Sequence, residues 1–343
     1  MRRFLLGLLV FLVVLAGVYA LGPRPDPPGD TFQVPPLPAS LTELERQIQA
    51  EERQVPGLRP GCAARFVWAD SGRRERTPYA FLYLHGFSAS PAGEGDPVLF
   101  NVAKRFHGNL YLARMAGHGV DLGDSTMQNL TTDQYLASAE RGLAIAKKLG
   151  DTVIVVGTSA GGALALWLAA RHPEIRAVVT YSPCIEIFDP NVKLLDDPWG
   201  LQLAHLITSK DHNDFVDPND GQRRYWTTHY RLEGVRMLQN FLTYKMTEET
   251  FRRVNAPTLL CYYFKNEQEQ DRVVSVPAML RMFDQLGTPA ALKRKVNLPS
   301  TARHEMASKY LSKDWPAVER ETVQFLREVV RVPEPVTNQL TQK

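Results

Sequence analysis

Along the 343-residue chain, short apolar runs alternate with longer amphipathic ones. Seven runs read as buried strands: residues 63–68, 79–84 (YAFLYL), 108–114, 152–156 (TVIVV), 176–182 (RAVVTYS), 258–264 (TLLCYYF) and 293–298. β-Branched and aromatic side chains are frequent in 79–84, 152–156, 176–182 and 258–264, as suits strands covered on both faces. Helical patterns occupy 97–106, 133–149, the apolar stretch after residue 159, and 315–330. In 133–149, Tyr135, Leu136, Ala139, Leu143 and Ile145 supply the apolar positions and Thr132 reads as the cap. Strands alternating with helices of this length require crossover connections. The expected fold class is therefore α/β, a mostly parallel sheet flanked by helices, and no internal repeat interrupts it.

Two stretches break the alternation. Residues 188–255 lie between core strands and are rich in large side chains, among them Trp199, Phe215, Trp226, Tyr230 and Phe241. A loop of that length without structure of its own would be unusual. It reads as a helical cap over the C-terminal edge of the sheet, with flat packing against the domain's side as the alternative. The N-terminus differs in kind. Arg2 and Arg3 precede an uncharged apolar run over residues 4–21, at the lower edge for crossing a bilayer and longer than the usual core of a secretory signal. Residues 1–22 are expected to be a membrane anchor or a signal peptide. The anchor is preferred because the run is long and Tyr19 fits a cleavage site poorly. The arginines predict a cytoplasmic N-terminus with the rest of the chain exported. Secretion after cleavage is the alternative.

Pro23, Pro25, Pro27 and Pro28 open a proline-rich linker over 23–40, expected to be extended. Residues 41–53 read as an amphipathic helix carrying Leu41, Leu44 and Ile48 on one face. The main domain is expected over 41–332, with a tail at 333–343.

Charge adds little. Forty basic and 37 acidic residues leave +3, and no basic patch interleaved with aromatics suggests a nucleic-acid partner. Cys62, Cys184 and Cys261 show no C-x-x-C spacing and no metal pattern. Cys261 reads as inert core, and Cys62 as open to pairing if the domain is exported. Gly117, Gly119 and Gly123 have the wrong spacing for a dinucleotide fingerprint, so neither cofactor nor metal is expected.

The chemistry concentrates where strands end, which is where open α/β sheets bind ligands. After 152–156 comes Gly157-Thr158-Ser159-Ala160-Gly161, a G-x-S-x-G elbow. The pattern is short enough to arise by chance. Its setting, between a buried strand and an apolar helix, gives it weight. A serine hydroxyl needs a base. His304, in the loop after the last strand, is the best placed histidine. His118 reads as structural, and His85 as ordering backbone. The base needs a buried carboxylate. Asp271 is preferred because Val273-Val274 follows it closely, whereas Glu267 and Glu269 lie in an all-polar run. The backbone N–H groups of Ala160 and Phe87 are the natural donors to an oxyanion.

H-G-F after a strand, G-H-G in the next loop, G-T-S-A-G-G, D-R-V-V and a late histidine in the order Ser, Asp, His together resemble the α/β-hydrolase superfamily. More narrowly they resemble its carboxylesterase and monoacylglycerol-lipase branch, over roughly residues 81–330. The polar run 265–270 before Asp271 is longer than the family's usual turn. The resemblance implies a serine ester hydrolase with Ser159 as nucleophile, His304 as base, Asp271 as acid, and Phe87 and Ala160 forming the oxyanion hole. Its substrate would be a small ester, with the aromatic cap favouring an apolar acyl chain. A catalytically silent binding protein on the same fold, or a thioesterase or other enzyme of the fold, are the alternatives. The sequence carries no sign of an oligomeric state.

Overall fold

The computed structural model describes residues 1–334, so the expected tail lies outside the described residues from 335 onward. Helices α1 (Arg2–Ala20) and α2 (Leu41–Arg53) precede strands β1 (Arg65–Val67) and β2 (Thr77–Leu84). Helices α3 (Pro91–Glu94) and α4 (Val98–Arg105) lead to β3 (Asn109–Ala113). The centre is α5 (Thr132–Leu149), β4 (Gly150–Thr158), α6 (Ala160–Arg171) and β5 (Ala177–Tyr181). Next come α7 (Gly200–Thr208), β6 (His212–Asp214), α8 (Asp220–Tyr225), β7 (His229–Arg231), α9 (Leu232–Lys245) and α10 (Glu248–Arg253). The chain closes with β8 (Thr258–Tyr262), α11 (Val276–Gln285), β9 (Lys293–Asn297) and α12 (Trp315–Phe325).

The main sheet has seven strands in the order β1-β3-β2-β4-β5-β8-β9. Every pairing is parallel except that of β1 with β3. Side chains of β2 and β4 alternate between two apolar layers, as the two-residue strand period demands. Leu82, Leu84, Val153 and Val155 face α5 and α6, while Phe81, Tyr83, Ile154 and Val156 face α4 and α12. This double burial explains why the runs read as continuously apolar.

Several expectations need refinement. The cap of α5 is Thr131, not Thr132: Thr131 accepts from the Gln134 amide while the Gln134 side chain returns to the Thr131 N–H. Thr132 is the first helical residue, and its hydroxyl donates to Asn240 Oδ1 at 2.7 Å. Helix α11 is an additional element, whose buried Val276, Met279, Met282 and Phe283 recur at helical spacing. Residues 188–255 divide into two parts. The first, through β7, holds short helices and the unexpected β6–β7 hairpin. The second is α9 and α10, whose Met237, Leu238, Phe241 and Phe251 join the main core beside α5 and α6.

The linker is extended but fastened. Gly29 N–H donates to Asp133 Oδ1 at 2.8 Å, Lys245 Nζ donates to Asp30 Oδ1 at 2.5 Å, and the Phe32 ring meets Trp167 edge-on at 5.7 Å. Cys62, Cys184 and Cys261 are all buried and free.

Candidate active site

Ser159 sits between β4 and α6 with φ 53° and ψ −121°. That strained conformation is costly for a residue with a Cβ and marks functional turns. A Cβ on Gly157 would lie 2.2 Å from the Gly161 carbonyl oxygen, and one on Gly161 would lie 2.0 Å from the Leu84 carbonyl oxygen. Only glycine lets β2, the turn and α6 approach so closely. The turn is pinned: Ser159 N–H donates to Tyr181 O at 2.9 Å, and Ser159 O accepts from Cys184 N at 2.9 Å. Ala160 opens α6, where the first amides have no intrahelical acceptor and the helix dipole is positive.

His304 and Asp271 meet. His304 Nδ1 lies 2.7 Å from Asp271 Oδ2, and both side chains are buried. Asp271 Oδ1 accepts from the amides of Val273 and Val274 at 2.9 and 3.1 Å. The polar run before it folds outward as a tight turn, with Lys265 N–H donating to Glu269 O and Asp271 N–H to Tyr263 O. That excursion returns Asp271 to the end of β8, while Glu267 and Glu269 stay exposed. Burial opposes the charge on Asp271, yet His304 and the two amides outweigh it and hold the carboxyl below its ordinary range. Burial likewise pushes the His304 imidazole down, but the Asp271 carboxylate prevails and holds it above the usual histidine value.

Cys184 ties the two halves together. Its amide holds Ser159, and its thiol, raised chiefly by burial, also feels the Asp271 charge. With Nδ1 engaged by Asp271, Nε2 is the nitrogen that remains for a serine proton. Among the described residues no hydrogen bond joins Ser159 Oγ to His304, and in free enzymes such bonds are commonly long.

The loop after β2 supplies the other wall. His85 is fully buried, and Met115 N–H donates to its Nε2 at 3.1 Å. The proton therefore resides on Nδ1, which donates to Gly86 O at 2.8 Å. Burial, aided by His118, keeps this imidazole neutral. The Phe87 ring packs edge-on against His118 and Tyr230 at 5.2 and 5.5 Å. Sequence reasoning missed Glu94. Its carboxyl is buried and accepts from Gly86 N–H at 2.6 Å. A lone acid in a glycine-rich loop looks solvated, so only the packing reveals it.

A cavity of about 640 Å³ opens beside the dyad, lined by Asp271, His304, Glu305, Arg272, Arg303 and Val216. A more apolar cavity of about 400 Å³ lies among Leu194, Leu203, Ala204, Ile207 and Val235, near the end of α1. One further cluster could attract a cation: Asp124, His212 and His229 offer ligand atoms within 4.8 Å of one another. The two imidazoles stack at 4.4 Å and 16°, so their lone pairs run side by side instead of converging on one point. His229 instead engages Asp214 at 2.6 Å and Asp124 at 3.1 Å.

Residues 81–307, two-thirds of the chain, match the alpha/beta hydrolase family. The chain belongs to that family. Among curated relatives, this alpha/beta hydrolase is 34% identical over 113 residues to the thermostable monoacylglycerol lipase of Bacillus sp. (strain H-257). That match spans 33% of this chain and 44% of the relative. Among solved structures, one from work on the metagenome-derived lipolytic enzymes LipS and LipT has a TM-score of 0.61 at 18% identity, covering 79% of this chain and 99% of that one. The monoacylglycerol lipase of Paleococcus ferrophilus has a TM-score of 0.55 at 16% identity, covering 79% and 98%. At such identities the likeness establishes that this alpha/beta hydrolase shares their fold.

Proposed function

We propose that the chain is a serine ester hydrolase of lipase or esterase type. Ser159 Oγ attacks the ester carbonyl as its proton passes to His304 Nε2. The oxyanion is held by the N–H groups of Phe87 and Ala160. His304 then returns the proton to the alcohol oxygen as the C–O bond breaks, and water releases the acyl group by the same steps. Asp271 keeps the imidazole in the tautomer that presents Nε2 and stabilises the imidazolium. The observation that carries this reading is the strained Ser159 between two close-approach glycines, with a buried 2.7 Å His304–Asp271 pair at the same sheet edge. The likeness to lipases and lipolytic enzymes supports it.

The substrate class we assign is a small ester with an apolar acyl chain, supported by the aromatic rings of Phe87 and Tyr230, which pack together beside the oxyanion-hole backbone. Residues 41–332 form the catalytic domain, with the first part of 188–255 as its lid and residues 1–22 as its anchor. Turnover of p-nitrophenyl esters of graded chain length tests the reading. Wild type should turn them over and become labelled by a fluorophosphonate at Ser159, and Ser159→Ala should lower kcat by about a thousandfold or more. A pure wild-type protein that neither turns over esters nor is labelled would instead be a silent binder on this fold.

A further inference from the structure

We propose that Glu94 is a positioning residue for the oxyanion hole, its carboxyl fixing the backbone that presents the Phe87 N–H to the reacting carbonyl. The proposal rests on the ester-hydrolase reading above. Gly86 is held on both sides. Its N–H donates to Glu94 Oε2 at 2.6 Å, and its carbonyl accepts from His85 Nδ1 at 2.8 Å. That carbonyl and the Phe87 N–H belong to one planar peptide unit and point in opposite directions. Fixing Gly86 at both ends therefore fixes where the Phe87 N–H points. Gly86 also packs against both the carboxyl and the nucleophile. A Cβ on Gly86 would lie 2.9 Å from Glu94 Oε1 and 3.2 Å from Ser159 Cβ.

Glu94 is 2% exposed, and among the described residues no cationic side chain hydrogen-bonds to it. The groups that face it are Tyr83 from β2, whose hydroxyl is 3.5 Å from Oε2, and His304 and Glu305 from the loop after β9. Burial is the largest influence. It pushes the carboxyl up to about 8, with Glu305 adding to the rise and the Gly86 N–H, His304 and Tyr83 opposing it. At neutral pH the side chain is thus a neutral acid. In this form Oε2 still accepts from the Gly86 N–H. This form holds the loop without placing a negative charge where the oxyanion must develop. Ionised Glu94 would repel that oxyanion.

The test compares wild type, Glu94→Gln and Glu94→Ala in ester kinetics across pH, with the rate of fluorophosphonate labelling at Ser159. Glu94→Ala removes the acceptor for Gly86 N–H and should lower kcat by at least about tenfold with KM within about twofold. Glu94→Gln keeps an acceptor of the same shape and should recover most of that loss. Wild-type kcat/KM should fall as pH rises through about 8, and the Gln variant should lack this fall. Equal alkaline falls in wild type and the Gln variant, or full kcat in the Ala variant, overturn the proposal. Two measurements stand apart from ester turnover. Wild type should show a protonated-carboxyl infrared band that disappears as pH passes about 8 and is missing in Glu94→Gln. Exchange protection of the Gly86 amide should drop in Glu94→Ala. A protein inactive on every ester refutes the hydrolase reading alone, whereas absence of both the band and the protection change refutes the role of Glu94.

Discussion

Asp271 accepts from three donors, His304 Nδ1 and two backbone amides, and is 1% exposed. Asp271→Asn would keep the shape but exchange the charged acceptor for a group that favours the wrong imidazole tautomer. We expect kcat to fall by about a thousand- to ten-thousandfold. The pH profile should move as well. His304 must be neutral to act as base, and the Asp271 carboxylate raises its value, so the acid limb of kcat/KM should shift to lower pH in the variant. Glu267→Gln and Glu269→Gln should stay within about twofold of wild type, because both carboxylates are exposed. A loss of activity in either one matching that of Asp271→Asn would reassign the acid. Ser159 and the glycines around it were legible because the elbow's backbone demands particular residues at fixed offsets. Glu94 was not legible, because its chemistry arises from tertiary neighbours, Tyr83 and Gly86 foremost. Thr131 and Thr132 are equally good capping residues in sequence, and only the reciprocal bonds of Gln134 decide between them.

Most elements with apolar periods were readable, α11 excepted, and short elements held by polar contacts were not. The five inner strands, β2, β3, β4, β5 and β8, and helix α5 bury apolar side chains along their length, whereas β1 and β9 at the sheet edges bury none fully. Strands β6 and β7 have three residues each, HND and HYR, with no alternation to detect. They are joined instead to the loop after β3 by side-chain bonds: His229 to Asp124 and Asp214, and His212 to the Asp124 carbonyl. If the first part of 188–255 is a lid, its amides should exchange faster than those of β4 and β5, and slow when an inhibitor occupies the site. Exchange as slow as in the sheet, with and without ligand, would make it a fixed wall. His229 gives this element a pH dependence. Donation to the Asp214 carboxylate chiefly, then to that of Asp124, raises its value above the ordinary histidine value. Its clamp is therefore fully present below about pH 6.5 and lost as pH rises through the folded-state value. After correction for intrinsic exchange rates, hairpin protection should decline on raising pH, and His229→Gln should abolish that decline.

At the scale of the whole molecule, the question is how the chain leaves the domain at its N-terminus. Helix α1 is 19 residues with none buried, about 28 Å long against a hydrocarbon core of about 30 Å. Beyond Arg2 and Arg3 it carries no charged side chain, and if it spans a bilayer those arginines favour a cytoplasmic N-terminus. The linker that follows does not swing free. Trp199 N–H donates to Pro23 O and its indole N–H to Val18 O, each at 2.9 Å, and Lys245 is nine-tenths buried against Asp30. An anchored chain should thus remain with membranes through alkaline carbonate washing and be released by detergent, keeping Met1 in its intact mass. A soluble protein starting near Leu21 would show instead that the segment is a cleaved signal. Two shortened chains separate anchoring from stability. One starting at Pro23 keeps the bonds to Trp199 N–H, Asp133 and Lys245 and should be soluble with an unchanged Tm. One starting at Leu41 leaves the Lys245 ammonium buried without its carboxylate and strips Phe32 from Trp167, and its Tm should drop by more than about 5 °C. Equal Tm values would mean that residues 23–40 lie on the domain without stabilising it.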